Sequence, residues 1–103
     1  MTVGGQAQAS GNWHTSEGSE EEFVERWTSF LEWTKATVPG FAGASLIRDV
    51  ADPRHFVSFA IWESSDARSR WQAHEGFAER LGGCRALCDD FTGASFELAS
   101  RVE

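Results

Sequence analysis

The stretch FVSFAIWESSDARSRW, running from Phe56 to Trp71, decides how this chain folds. It opens with alternation: Phe56, Ser58, Ala60 and Trp62 face one way and Val57, Phe59 and Ile61 the other, the period of a β-strand. Ser64-Ser65-Asp66 then offers a helix N-cap, and the residues from Ala67 to about His74 read as a short helix. A tryptophan stands on either side of the break, Trp62 on the strand and Trp71 on the helix. Both parities of the strand are apolar, so both of its faces call for cover.

Working outward, FAGASLIRDV before this stretch reads as a second strand, and ADPR (Ala51 to Arg54) as the turn between the two. The pair is a hairpin. Further upstream, Ser19 and Glu22 have the spacing of a capping box, and Glu20, Glu21 and Glu22 suit the positive end of a helix dipole. Phe23, Trp27, Phe30, Leu31 and Thr34 follow at the spacing of one helical face, and Pro39-Gly40 ends the helix. NWHTSEG reads as the first strand, with Asn12 and His14 on one face and Trp13 on the other. Residues 1–10 read as a flexible tail or as the start of that strand, leaving 11–103 as the folded domain.

Downstream of Trp71, Gly76 interrupts the short helix. Phe77, Leu81, Cys84, Leu87 and Cys88 resume a helical face, weakened at Gly82-Gly83. TGASFELASRV alternates again as a last strand. The order is therefore β-α-β-β-α-β, an α+β ferredoxin-like fold with a four-stranded antiparallel sheet and its helices on one face. The other face carries apolar rows with nothing to cover them, which predicts a second copy of the chain against it.

Composition narrows the function. The 103 residues include five Trp and eight Phe but no Tyr, an unusual load of purely apolar ring surface for a core, an interface or a ligand cavity. A net charge of -7 opposes a nucleic-acid footprint and an anionic membrane surface alike. The longest apolar run, Phe59 to Trp62, is far short of a bilayer span, and MTVGGQAQAS has no basic or apolar leader segment. A cytoplasmic location is the expectation. Cys84 and Cys88, four apart with no matching His/Cys pair, read as buried, reduced thiols. No metal-ligand cluster, phosphate loop or nucleophile elbow is visible.

The segments GSEEEFVERW, VPGFAGASLIRD and FVSFAIWESSDA, with Trp71, His74, Gly76 and Phe77 beyond them, together resemble the antibiotic biosynthesis monooxygenase family. The resemblance covers the chain from about Asn12 onward. It implies a homodimer in which two sheets close an α/β barrel, each protomer holding a cavity between its sheet and its helices. It also implies oxidation of an electron-rich aromatic molecule, a polyketide anthrone or a quinol, with molecular oxygen as co-substrate and no cofactor. In that mechanism Trp71 stacks on the substrate, Asn12 donates a hydrogen bond and His14 takes the proton, while Trp62, His74, Phe77 and Leu81 contact the substrate. Two alternatives stand beside it. A haem-binding or haem-degrading relative would use an Asn on the first strand, matched by Asn12, and a Trp matched by Trp71. Its axial histidine, however, falls on Leu81, which cannot ligate iron, with His74 the nearest imidazole. The third reading is a non-catalytic dimer that binds a small molecule.

Overall fold

The computed structural model describes residues 6–103. The elements are β1 (Ala7–Thr15), α1 (Glu20–Thr37), β2 (Phe41–Arg48), β3 (His55–Trp62), α2 (Ser65–Ala73), α3 (Phe77–Arg85) and β4 (Cys88–Glu97). The strands form one antiparallel sheet in the order β2-β3-β1-β4, which is the ferredoxin-like arrangement. β1 begins at Ala7, so residues 7–10 belong to the strand; the expected tail over residues 1–5 lies outside the described residues.

The side chains that bury α1 are the five its spacing marked: Phe23, Trp27, Phe30, Leu31 and Thr34. They pack onto the sheet face formed by Trp13 and Thr15 of β1 and Phe56, Ser58, Ala60 and Trp62 of β3, all buried. Trp13 tilts against Phe23 and Phe91, and Phe23 against Phe56, so one continuous layer of rings joins α1 to the sheet. Burying a ring of this size contributes roughly 1.5–3 kcal/mol or more, which makes this layer the main driving force for docking the helix. Ser64 caps α2 as its position predicts, its Oγ accepting from the Ala67 N–H at 3.1 Å.

Three expectations are corrected. Ser19 stands at the N-cap of α1, but its side chain makes no capping bond. Glu22 instead pairs forward with Arg26 at 2.6 Å, and Arg26 also donates to the Gly83 carbonyl, tying α1 to α3. Second, the later helix is two helices, α2 and α3, because His74 leaves the helical conformation and Gly76 passes close under Trp33. A Cβ on Gly76 would lie 2.7 Å from that indole. Third, Leu87 and Cys88 are not on a helical face. α3 ends at Arg85, the Leu87 carbonyl accepts from Ser16 N–H, and Cys88 pairs with Thr15 as β4 begins. Hydrogen bonding to the edge of β1 wins over helical propensity there, and the strand starts earlier than alternation alone suggests. Cys84 and Cys88 are free thiols, and burial raises them to about 12 and about 11 respectively.

The opposite face of the sheet carries Ile47 of β2, Val57, Phe59 and Ile61 of β3, and Phe96 of β4. Ile47 and Phe96 are more than half exposed.

Candidate active site

A cavity of about 440 Å³ lies between the sheet and the helices. That volume suits a small organic molecule rather than a peptide. Its floor is laid by Ala9, Gly11 and Trp13 of β1, Ser58 and Ala60 of β3, and Phe91, Gly93 and Ser95 of β4. Its roof is Trp27, Phe30 and Leu31 of α1, Trp71 and Gln72 of α2, and Phe77 and Leu81 of α3. None of these side chains is ionisable. Ser58, Ser95 and Gln72 are the polar side chains among them.

Two indoles are held in fixed planes. Trp71 donates from Nε1 to Thr34 Oγ1 at 3.0 Å, and Thr34 in turn donates to the Phe30 carbonyl at 2.9 Å, closing a buried relay between α2 and α1. Phe30 stacks behind the Trp71 ring at 5.8 Å and 21°, and Phe77 meets it edge-on at 4.8 Å. Trp13 donates from Nε1 to Ser58 Oγ at 3.0 Å, which lays its ring along the sheet across the gap between β1 and β3. Gly11 makes this path available: a Cβ there would lie 2.5 Å from Trp13 Nε1 and 2.8 Å from Ser58 Oγ. With both N–H groups committed, the two rings offer surfaces to a ligand rather than hydrogen bonds.

The residues expected to form the site are divided by this geometry. Trp71, Phe77 and Leu81 line the cavity together. Trp62 does not: it is fully buried behind Trp71, with ring centroids 5.0 Å apart, and Phe41 meets its edge at 5.5 Å. Its Nε1 has no hydrogen-bond partner among the described residues. His74 is also outside the lining; its Nδ1 accepts from the Gly76 N–H at 3.0 Å and its ring meets the edge of Trp33.

Asn12 and His14 stand on the opposite sheet face, because alternation along β1 turns Gly11, Trp13 and Thr15 toward the helices. There His14 Nε2 meets Asp52 Oδ2 at 3.1 Å, and His55 bridges Asp49 Oδ2 at 2.9 Å and Asn12 Oδ1 at 2.7 Å. The expected juxtaposition of Asn12 and His14 with Trp71 in one cavity is therefore corrected: the sheet separates them. The hydrogen bond from His55 holds Asp49 below the usual carboxylate range, and those from the Arg54 N–H and His14 do the same for Asp52. These partners give the two histidines a place in the hairpin turn.

Sequence reasoning passed over Trp13, Ser58 and Phe91 as site residues. Their signal was partial: Trp13 is the one large apolar residue of β1, but alternation leaves open which parity meets the helices. The donor set does not fit haem. No cavity-lining side chain is a usual iron ligand, and Leu81, the position at which the resemblance set an axial histidine, is in the lining. Among the described residues, no group of three or more His, Cys, Asp or Glu could hold a metal ion.

The geometry has clear relatives. A family model for antibiotic biosynthesis monooxygenases matches residues 9–80. SnoaB from Streptomyces nogalater, a cofactor-independent oxygenase, superposes with a TM-score of 0.82 at 24% identity, covering 95% of this chain and 96% of that one. A point variant of SnoaB gives 0.84, also at 24% identity, over 94% and 95% of the two chains. A putative antibiotic biosynthesis monooxygenase from Deinococcus radiodurans gives 0.80 at 15% identity, over 94% and 96%. No curated protein sequence matches the chain significantly. The family match spans most of the chain, from the first strand into the start of α3, and the chain belongs to the antibiotic biosynthesis monooxygenase family.

Proposed function

We propose that this protein is a cytoplasmic, homodimeric monooxygenase that needs no cofactor and oxidises a neutral, planar, electron-rich aromatic molecule such as an anthrone or a hydroquinone. One observation carries the reading: a cavity of about 440 Å³ walled by two immobilised indoles and free of ionisable side chains. An apolar slot of this kind rejects charged metabolites, since an unpaired charge would be desolvated there, and accepts flat rings. The oxygenase SnoaB, which shares the fold, supports the absence of a cofactor. The uncovered apolar row of Val57, Phe59 and Ile61, with Ile47 and Phe96, supports a second copy on the outer sheet face.

The chemistry balances without a cofactor when the substrate supplies the electrons. A methylene flanked by aromatic rings loses a proton to solvent at the cavity mouth and becomes a delocalised carbanion. One electron passes to dioxygen, and the substrate radical and superoxide join to form a C–O bond. After protonation the hydroperoxide loses water, leaving a carbonyl. The net change is CH2 plus O2 to C=O plus H2O, four electrons passing from carbon to oxygen. The protein's part is to hold the rings flat between Trp13 and Trp71, exclude bulk water, and stabilise negative charge on the substrate oxygen.

The test is oxygen consumption with anthrones and hydroquinones, alongside tryptophan fluorescence to report binding. With an anthrone, turnover should consume one oxygen molecule per methylene converted to a carbonyl. Trp71→Phe, which narrows the stacking surface and removes its anchor to Thr34, should lower kcat/KM by about tenfold or more, the scale expected when a ring is mispositioned. Binding with no oxygen uptake would refute the oxygenase and leave a binding protein. A sharpened haem band on titration would refute the cofactor-free reading.

A further inference from the structure

Resting on the cavity reading above, we propose that the Ser58 hydroxyl, polarised by the Trp13 N–H, donates to the substrate oxygen that becomes anionic. A side-chain hydroxyl has one donor and two acceptor sites. Ser58 Oγ accepts from Trp13 Nε1 at 3.0 Å, and among the described residues it makes no other side-chain hydrogen bond. Its O–H is left for whatever occupies the cavity that it lines. An N–H donating into a hydroxyl oxygen strengthens the donation that the same hydroxyl makes onward, and low polarity around the pair amplifies this. Ser58 is buried at 7% exposure and Trp13 at 2%, so water competes weakly for either.

The arrangement is built rather than incidental. The indole reaches Ser58 only because position 11 is glycine, since a Cβ there would lie 2.5 Å from Nε1 and 2.8 Å from Oγ. Phe91, at 4.2 Å between centroids, and Phe23, at 5.1 Å, hold the ring from the other sides. The other site indole spends its N–H on Thr34, whose hydroxyl is already donating to the Phe30 carbonyl, so that relay ends in the backbone. The Trp13–Ser58 relay ends in the cavity. Ser95 and Gln72 also line the cavity, but among the described residues no side chain donates to either.

The test uses 2-hydroxyanthraquinone, a flat probe with one ionisable hydroxyl, a visible colour change on ionisation and no methylene to oxidise. The pKa of the bound probe is read by titration with the wild-type protein and three variants. Ser58→Ala should shift it upward, a loss of about tenfold or more in preference for the anion, as removal of a hydrogen bond to a charged group predicts. Trp13→Phe keeps a ring and the hydroxyl but withdraws the polarising donor, and should shift the pKa in the same direction by less. Ser58→Thr, which keeps the hydroxyl, should restore most of the wild-type value.

A preference within a factor of about two of wild type in both Ser58→Ala and Trp13→Phe would overturn the proposal. If Ser58→Ala fails to fold, an unchanged pKa in Trp13→Phe overturns it alone. Failure of the wild-type protein to bind the probe at all would instead overturn the cavity reading, and this proposal with it.

Discussion

Replacing Gly11 by alanine sets two opposing effects against each other, and the structure decides which wins. The φ angle of Gly11 is not positive, so alanine is conformationally allowed, and reduced freedom of the unfolded chain would stabilise by about 0.4–1 kcal/mol. Against this, the new methyl would sit 2.5 Å from Trp13 Nε1, 2.9 Å from Trp13 Cε2 and 2.8 Å from Ser58 Oγ. The indole has no room to retreat, being 2% exposed and held by Phe91 and Phe23. Overpacking of this kind costs about 1–3 kcal/mol. Parting Trp13 from Ser58 leaves a buried N–H unpaired, a further 1–3 kcal/mol or so. The net expectation is a loss of about 3 kcal/mol, or a fall in Tm of roughly 12–24 °C for a domain of this size. Thermal melts followed by near-ultraviolet circular dichroism at fixed protein concentration measure it. The same melt in a Ser58→Ala background should show a smaller drop, because one component of the penalty is already spent. A Tm within about 2 °C of wild type, or above it, would refute the Trp13–Gly11–Ser58 packing.

A second glycine should behave oppositely. Gly82 lies within α3 with open space where a Cβ would be, so Gly82→Ala should raise stability by roughly 0.5–1 kcal/mol, read in the same melts. The thiols make a prediction about alkali. Burial raises Cys84 to about 12, against an ordinary value of 9.0, so between these values the native state binds more protons than the unfolded chain. Stability should therefore be constant with respect to this group below about pH 9 and fall as the pH rises toward 12, by at most about 1.4 kcal/mol per unit. Cys84→Ala should flatten that part of a denaturation–pH profile, and both thiols should resist alkylation in the native protein near neutral pH. The effects of Trp71→Phe on turnover and of Ser58→Ala on a bound phenolate complete the set.

The elements were legible because their signals are local. The five residues of α1 that spacing assigned to one face are the five that are buried, and the alternation from Phe56 to Trp62 separates the helix-facing side chains from the outward ones. The split at Gly76 was visible as a glycine, though its close passage beneath Trp33 was not. The start of β4 was misplaced because the backbone hydrogen bonds from β1 that convert Cys88 and its neighbours to strand come from residues more than seventy positions away.

The site was legible only in part, for a related reason. Alternation separates Asn12 and His14 from Trp13 but does not say which parity meets the helices, and polar residues drew attention to the wrong face. Sequence alone determined the chain's fold class and the presence of a short helix carrying Trp71, since both follow from nearest neighbours or short periodic patterns, and its motifs carried the resemblance to the family. Tertiary structure alone decided that Trp13, Ser58 and Trp71 share one cavity, while Asn12 and His14 join a hydrogen-bonded cluster behind the sheet. Strand order and helix placement bring residues 13, 58 and 71 together, and no local interaction along the chain encodes that meeting.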